Sequence, residues 1–297
     1  MRIPFLAVAM ALAINILWGA NPVAVKLGLA AFPPLWSAFF RFAMGILCIA
    51  LWARVSGIRL WPEYREWPGL FVLAAWFMTQ IAMMNYGINL TSGASAAVMT
   101  ATFPLFAGIF AHFMIAGDRL NLGKAAGLLI AFLGVGLVLT CGRMPDELSR
   151  ANLGDLILLA STIVLGWRWI FTARLVSKIE PARVVLWQML LSLPAFAAVA
   201  ALSEDIVWRQ VGWVPIGALV YQGVVVAGLA FMVNAWLIKR YSPSVMFSFA
   251  FISPISGVAL SALLLGDPLT WDLAMGTVGV GIGLIILTRR AQARSEG

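Results

Sequence analysis

Long apolar runs follow one another along most of the chain, and short polar or turn-forming segments separate them. A helix needs roughly 20 apolar residues to cross a hydrocarbon core of about 30 Å. The runs and their breakers therefore predict ten membrane-spanning helices and no large soluble domain. The predicted spans are residues 4–30, 35–53, 67–88, 93–115, 122–141, 153–175, 183–202, 212–237, 244–265 and 271–288.

The composition agrees with an all-α polytopic membrane protein. Hydrophobic residues make up 62% of the 297 positions and charged residues 11%, and the mean hydropathy is +0.96. The net charge of +8 comes from basic residues scattered between the apolar runs, so it does not indicate nucleic-acid binding. The expected partners are a small-molecule substrate and the lipid bilayer, with no nucleic acid, and the sequence is compatible with a monomer.

The positions of the basic residues predict the orientation of the chain. With a cytoplasmic amino terminus, fourteen of the twenty lysines and arginines fall on the inner side and four on the outer side. Cytoplasmic segments of membrane proteins carry an excess of lysine and arginine. We therefore expect a multi-pass protein of the inner membrane with both termini in the cytoplasm.

The two halves of the sequence repeat each other at a spacing of 149 residues. This spacing relates Trp18 to Trp167, Asn85 to Asn234, Gly117-Asp118 to Gly266-Asp267, Gly127 to Gly276, and Gly134 to Gly283. Each half carries five predicted helices, an odd number, so the second copy enters the membrane from the opposite side. We therefore predict two inverted repeats, residues 1–145 and 146–297, with the substrate bound between them.

Several motifs resemble the drug/metabolite transporter superfamily, in its ten-helix EamA branch, over nearly the whole chain. These motifs are Trp18-Gly19 with Lys26, Pro34 followed by Arg41, "NYGINLTSGASAAVMTATFPLFAGIF", "AGDRL", "GLLIAFLGV", "YSPSVMFSFAFISP" and "LLGDPLTW". The resemblance implies an exporter, similar to the family's exporters of aromatic and neutral amino acids. Two departures are Gly-Asp in place of the family's Gly-Glu in both halves, and Arg168 as the counterpart of Gly19.

Acidic residues are absent from the middle of the predicted spans, since all twelve fall in loops, tails or helix ends. This absence argues against transport of lipophilic cations and against a carboxylate proton relay. His112 alone provides neither a catalytic dyad nor a metal-ligand set. We therefore expect a protein that is not an enzyme, with no catalytic residue, cofactor or metal, and with facilitated or weakly coupled transport.

The candidate substrate-binding residues are aromatic, polar or cationic side chains that lie deep in the predicted spans. They are Trp18, Asn21, Arg41, Trp76, Gln80, Tyr86, Thr100, Phe103, Trp167, Trp169, Tyr221, Gln222, Phe247 and Ser253. Ordinary helix packing is the alternative for any single one of them. Arg168 either snorkels to an interface or faces the cavity, and Arg41 and Lys26 either bind substrate or hold helices together through carbonyls.

Other positions predict the arrangement of helices around this cavity. Pro104 and Pro254 are expected to kink or break their spans at matched positions of the two halves. Paired glycines in the fifth and tenth spans predict a seam between the halves, away from the transport pathway. Deep aromatic residues and cations without buried acids favour a substrate that bears a carboxylate. Together with the resemblance to the family's amino-acid exporters, they lead us to expect aromatic or neutral amino acids. The alternative is an exporter of another metabolite or drug, such as a nucleobase.

Overall fold

The computed structural model describes residues 4–114, 122–140, 148–241 and 249–292, and all regular secondary structure in these ranges is helical. The helices are α1 (Phe5–Gly28), α2 (Pro34–Val55), α3 (Trp67–Leu90), α4 (Gly93–Thr100), α5 (Phe103–Met114), α6 (Leu122–Thr140), α7 (Leu148–Val176), α8 (Pro181–Ser203), α9 (Trp213–Val220), α10 (Phe231–Tyr241), α11 (Ile252–Leu265) and α12 (Trp271–Gln292). A π-helical segment, Tyr221–Ala230, joins α9 to α10, and two 3₁₀ turns, Tyr64–Glu66 and Trp208–Gln210, precede α3 and α9.

Seven helical stretches within the described residues are long and apolar enough to cross a membrane, so the all-helical membrane class is confirmed. They are Phe5–Gly28, Pro34–Val55, Tyr64–Leu90, Gly93–Met114, Ala151–Val176, Pro181–Ser203 and Trp213–Tyr241. The other three predicted spans correspond to shorter apolar helices at Ala125–Val138, Ile252–Leu265 and Trp271–Ile286.

Two proline positions mark breaks near the centre of the bundle. The stretch Gly93–Met114 turns at Ala101 and Thr102, and Pro104 follows as the second residue of α5. Pro254 is likewise the third residue of α11, which begins at Ile252; the first five residues of the predicted span, 244–248, lie outside the described residues. Proline is tolerated in the first turn of a helix because the N–H that it lacks has no intrahelical partner there.

Helix α7 differs from the prediction at its beginning. It starts at Leu148, so Asp155 lies inside the helix and not at its end, and its side chain is fully buried. Gly154 lets this part of α7 approach α3, since a Cβ added to Gly154 would lie 2.9 Å from the carbonyl oxygen of Gly87. Asp155 is not among the residues that line the central cavity described below.

Close glycine contacts join helices from the two halves of the chain. A Cβ added to Gly134 in α6 would lie 2.7 Å from the carbonyl oxygen of Gly276 in α12, and the reverse distance is also 2.7 Å. At a second contact, a Cβ added to Gly257 in α11 would lie 2.6 Å from the carbonyl oxygen of Gly19 in α1. Small residues permit this close approach of helix backbones.

Candidate substrate cavity

A cavity of about 910 Å³, counting the space at its open mouth, lies between the helices of the two halves. Its lining comes from α1–α5, α7, α8, α10, α11 and the π-helical segment. None of the described lining residues is acidic, and none belongs to α6 or α12.

Four aromatic side chains form one side of the cavity, which we call the aromatic wall: Trp18, Phe103, Trp169 and Phe231. The rings of Trp18 and Trp169 meet edge to face, with centroids 5.5 Å apart and an interplanar angle of 84°. Phe103 lies 5.0 Å from Trp169, and Phe231 lies 6.4 Å from Trp18. These contacts fix the orientation of the rings, so the wall offers a flat apolar side chain a preformed surface.

The helices that carry the wall are held by contacts behind it. Gly19 follows Trp18, and a Cβ at Gly19 would clash with Ser256 of α11, so α1 and α11 touch directly at this level. Pro22 is one turn further along α1 and, because it lacks an N–H, it donates no bond to the carbonyl of Trp18. The helix nevertheless continues unbroken to Gly28. The close packing of the α1 and α11 backbones therefore fixes the position of Trp18 in the aromatic wall.

Arg41 reaches the cavity from α2 and is only 1% exposed. Its Nη1 donates to Oε1 of Gln222 at 3.4 Å, and its guanidinium lies over the ring of Phe42 at 4.4 Å. Nε2 of Gln222 in turn donates to the carbonyl oxygen of Ala24 at 3.0 Å, which directs Oε1 toward Arg41. A carboxylate that enters the cavity would meet this guanidinium already oriented.

Arg168 is built in the same way from α7. It is 7% exposed, its Nη1 donates to Oε1 of Gln188 in α8 at 3.1 Å, and its guanidinium lies 4.9 Å from the ring centre of Phe77. The alternative that Arg168 snorkels to a membrane interface is therefore excluded. Both arginines face the same cavity.

Uncharged polar side chains complete the lining. Nε2 of Gln80 donates to Oγ of Ser161 at 3.3 Å, while its Oε1 is buried without a partner among the described residues. Asn21 is 8% exposed, and its Oδ1 also has no partner in the described ranges. Thr100 and Ser253 border the cavity at the two helix breaks. The two amide oxygens are available to accept hydrogen bonds from a ligand.

Eight of the predicted substrate-binding residues meet around this one cavity. They are Trp18, Asn21, Arg41, Gln80, Thr100, Phe103, Trp169 and Ser253. Gln222, another predicted residue, does not line the cavity but accepts a hydrogen bond from Arg41. Their contact with a substrate stays a prediction, but their convergence on one space is a property of the fold.

Four other predicted residues lie away from the lining. Trp76 is 38% exposed and packs on Trp167, with ring centroids 6.4 Å apart. Tyr86 donates through its hydroxyl to Oε1 of Glu204 at 2.7 Å, and Tyr221 donates to the carbonyl oxygen of Leu17 at 2.7 Å. These side chains therefore connect helices. Phe247, the remaining predicted residue, lies outside the described residues.

Some lining residues are not among the predicted ones, although the sequence carries a signal for them. Gln188 and Thr172 are polar positions inside predicted apolar spans, and both line the cavity. Phe231 lies three residues before Asn234, which places both on one face of a helix, and both are lining residues. The signal in each case was a polar residue at membrane depth, which alone does not tell packing from lining.

One end of the bundle, which we call the Glu204 end, is closed by polar contacts. The Glu204 carboxylate accepts bonds from the backbone N–H groups of Leu35 and Trp36 at 2.9 and 3.2 Å, and from the hydroxyl of Tyr86. Lys26 donates to the carbonyl oxygens of Ile88, Asn89 and Thr91 at 3.1, 3.1 and 2.7 Å. Lys26 thus holds α1 to the end of α3, which is the structural alternative named for it above.

At the opposite end, which we call the Arg183 end, Arg183 pairs with Glu66 at 2.6 Å and donates to the carbonyl oxygen of Arg59. The cavity lining comes within about one helical turn of this end, at Thr172, Val185 and Ile238. At the Glu204 end it stops short by one to two turns. The cavity is therefore displaced toward the Arg183 end.

The bundle of apolar helices around a central cavity is that of a polytopic membrane protein. Residues 5–140 and residues 152–289 each match the EamA-like transporter family, so the chain belongs to this family and is a membrane transporter built from two EamA-like repeats. The resemblance drawn from the sequence motifs is thereby confirmed.

Individual relatives agree with this assignment. The chain is 28% identical over 290 residues to a probable amino-acid metabolite efflux pump of Escherichia coli (strain K12), covering 93% of each chain. It is also 28% identical to the uncharacterized inner membrane transporter YedA of the same strain, covering 93% of this chain and 89% of YedA. One crystal structure superposes with a TM-score of 0.74 at 19% identity, covering 98% of this chain and 99% of that one, which supports the fold alone.

Proposed function

We propose that this protein exports small metabolites by alternating access, with aromatic and neutral amino acids as its principal substrates, and that it is not an enzyme. The observation that carries the proposal is the pairing, in one acid-free described lining, of the aromatic wall with the buried guanidinium of Arg41. A relative named a probable amino-acid metabolite efflux pump supports the same substrate class.

The chemistry of the lining matches the three parts of an aromatic amino acid. Its carboxylate would accept charge-assisted hydrogen bonds from Arg41. Its ammonium would donate to the buried oxygens of Asn21 and Gln80, which have no partner in the described part of the chain. Its ring would pack on Trp18 and Trp169. Small neutral amino acids would use the same polar groups and leave the wall less covered.

We propose further that the chain crosses the inner membrane ten times as two inverted five-helix repeats, with both termini in the cytoplasm. The charge bias along the sequence then makes the Arg183 end cytoplasmic. On this orientation the cavity lies nearer the cytoplasmic side, and we propose that substrate enters it from there. Export follows when the Arg183 end closes and the Glu204 end opens.

Efflux from proteoliposomes tests the proposed substrate. Purified protein is reconstituted into vesicles loaded with labelled phenylalanine, tryptophan, threonine or methionine, and release is compared with protein-free vesicles. We expect release above background, fastest for the aromatic pair, and the same flux from Lys178→Gln, which removes an exposed cation that does not line the cavity. If none of the four amino acids is released, the proposal is wrong.

The same vesicles distinguish the alternative substrate class. Uracil, adenine and a lipophilic drug are added in excess to compete with labelled phenylalanine. A planar apolar ring could use the aromatic wall without any carboxylate, and it would then compete equally in wild type and in Arg41→Gln. We expect amino acids to compete strongly and nucleobases weakly, because nucleobases leave the guanidinium of Arg41 without an anion.

A further inference from the structure

The proposed function uses one buried cation of the cavity and leaves the second without a role. Nη1 of Arg168 donates to Oε1 of Gln188, and Nε of Arg168 is buried with no partner among the described residues. The guanidinium cannot reach water at an interface, because the residue is 7% exposed. A buried charge of this kind is stable only when hydrogen bonds and an opposite charge meet it.

The surroundings of Arg168 repeat those of Arg41. Each guanidinium donates through Nη1 to the side-chain oxygen of one glutamine, each lies on the face of one phenylalanine ring, and each has a buried Nε without a partner within the described ranges. The glutamines come from different helices, so the two sites are separate constructions. This repeated geometry is that of a site that orients a guanidinium toward a ligand.

The two sites share one wall. Arg41 lies 4.4 Å from the ring of Phe42, the rings of Phe42 and Phe77 are 4.7 Å apart, and Arg168 lies 4.9 Å from the ring of Phe77. These three distances place the two guanidinium carbons at most about 14 Å apart. Both rings are fully buried, so the separation is fixed by the core.

We propose that Arg168 and Gln188 form a second anion subsite, so that the cavity binds two anionic groups at once, one at each guanidinium. A zwitterionic amino acid brings one carboxylate and a net charge of zero. Because none of the described lining residues is acidic, the net positive charge of the two arginines stays the same when such a zwitterion binds. The second anionic group comes either from another carboxylate of the substrate or from a small inorganic ion such as chloride.

The positions of the two arginines predict which of them an entering anion meets first. Arg168 belongs to α7 and pairs with α8 near the Arg183 end, whereas Arg41 and Gln222 lie closer to the Glu204 end. An anion that enters from the Arg183 end therefore meets Arg168 first. The proposal rests on the proposed function only for the placement of an amino-acid carboxylate at Arg41.

Direct anion binding to purified protein tests the subsite without any transported amino acid. Melting temperature is measured in a buffer whose only anion is a bulky sulfonate, and chloride or glutamate is then titrated. We expect at least one of these two anions to raise the melting temperature of wild type and of Lys178→Gln. In Arg168→Gln the apparent affinity for that anion should fall at least tenfold. Unchanged anion affinity in a folded Arg168→Gln overturns the proposal.

Phenylalanine binding, followed by tryptophan fluorescence, separates the two sources of the anion. If chloride is the second ligand, it tightens phenylalanine binding at least tenfold in wild type and not in Arg168→Gln. If a second carboxylate is the ligand, glutamate binds at least tenfold more tightly than phenylalanine without chloride, and Arg168→Gln removes this advantage. If wild type shows neither dependence, the subsite does not exist, whether or not the variant folds.

The outcome also separates this proposal from the proposed function. Wild-type protein that binds chloride or glutamate through Arg168, yet binds and exports no phenylalanine, tryptophan, threonine or methionine, has the anion subsite and a different substrate. Wild-type protein that exports phenylalanine with no effect of chloride and no preference for glutamate keeps the proposed function and lacks the subsite. Arg168→Lys, which keeps the charge, should retain part of the anion affinity.

Discussion

Arg41 is the side chain on which the proposed recognition of a carboxylate depends. It is 1% exposed, its orientation is fixed by Gln222 and Phe42, and it lines the same cavity as the aromatic wall. A hydrogen bond to a charged group is worth about 1.5–3 kcal/mol, and each 1.4 kcal/mol is a factor of ten in affinity. Replacement of Arg41 should therefore mainly lower the affinity for the substrate.

We predict that Arg41→Gln lowers phenylalanine efflux, expressed as kcat/KM, by about tenfold or more. Arg41→Lys should fall between this variant and wild type, because lysine keeps the charge and loses the planar fork of donors. Initial rates in proteoliposomes over a range of internal phenylalanine give both parameters. Wild-type kcat/KM in a correctly folded Arg41→Gln would contradict a carboxylate contact.

Trp169 and Trp76 allow a matched test of the aromatic wall. Both are tryptophans at membrane depth, but Trp169 lines the cavity and Trp76 packs on Trp167 outside it. We predict that Trp169→Leu raises the KM for tryptophan by about tenfold and that for threonine much less, since only the larger substrate covers the wall. Trp76→Leu should change neither. Equal effects of both substitutions on tryptophan efflux would exclude a specific role for the wall.

At the scale of helices, the α6–α12 contact depends on glycine at particular positions. A Cβ at Gly134 would lie 2.7 Å from the carbonyl oxygen of Gly276, whereas a Cβ at Gly136, two residues later on the same helix, would have nothing within 4 Å. We predict that Gly134→Ala destabilises the protein by about 1–3 kcal/mol through overpacking. Gly136→Ala should be neutral or slightly stabilising, since alanine favours helix by up to about 1 kcal/mol over glycine. Thermal unfolding in detergent compares the two.

The Glu204 end should open when its central carboxylate is removed. Glu204 accepts bonds from the N-terminus of α2 and from Tyr86, and an anion at a helix N-terminus is stabilised by the helix dipole. We predict that Glu204→Ala increases labelling of Met84→Cys, in a background with Cys48 and Cys141 replaced by serine, by about tenfold or more. The probe is an impermeant maleimide added at the Glu204 end.

The neighbouring acid gives the control for this experiment. Asp205 is exposed, and Asp205→Ala removes the same charge one position away. It should leave the labelling rate of Met84→Cys close to that of the parent. Similar increases for both substitutions would show that charge, and not closure by Glu204, controls access to the cavity.

For the whole molecule, the balance of charges bears on how transport is driven. The described cavity lining contains two arginines and no acidic residue, and Asp155, though buried, is not part of it. A carboxylate that binds and releases a proton within the pathway is the usual means of coupling to a proton gradient. We predict that phenylalanine efflux responds weakly to an imposed pH gradient. A steep dependence, measured as initial rate against the gradient, would require a proton-binding group that this lining does not contain.

The sequence by itself determined the membrane class, the family and the residue types of the site. Apolar runs, the spacing of 149 residues and the deep aromatic and cationic positions are all local or periodic features, and periodicity is legible without coordinates. Arg41, Trp18 and Trp169 were identified in this way because cations and tryptophans at membrane depth are uncommon and need a reason.

Only the tertiary structure decided which of these residues share a space. Trp76 and Trp169 are both tryptophans deep in predicted spans, yet Trp76 packs on a neighbouring helix and Trp169 lines the cavity. Lys26 donates its hydrogen bonds to carbonyl oxygens at the end of α3, and Arg168 is held toward the cavity by its hydrogen bond to Gln188. The direction of a side chain depends on how helices rotate against each other, which is set by long-range glycine contacts such as Gly134 with Gly276. Apolar on every face, these helices carry no strong periodic signal of that rotation.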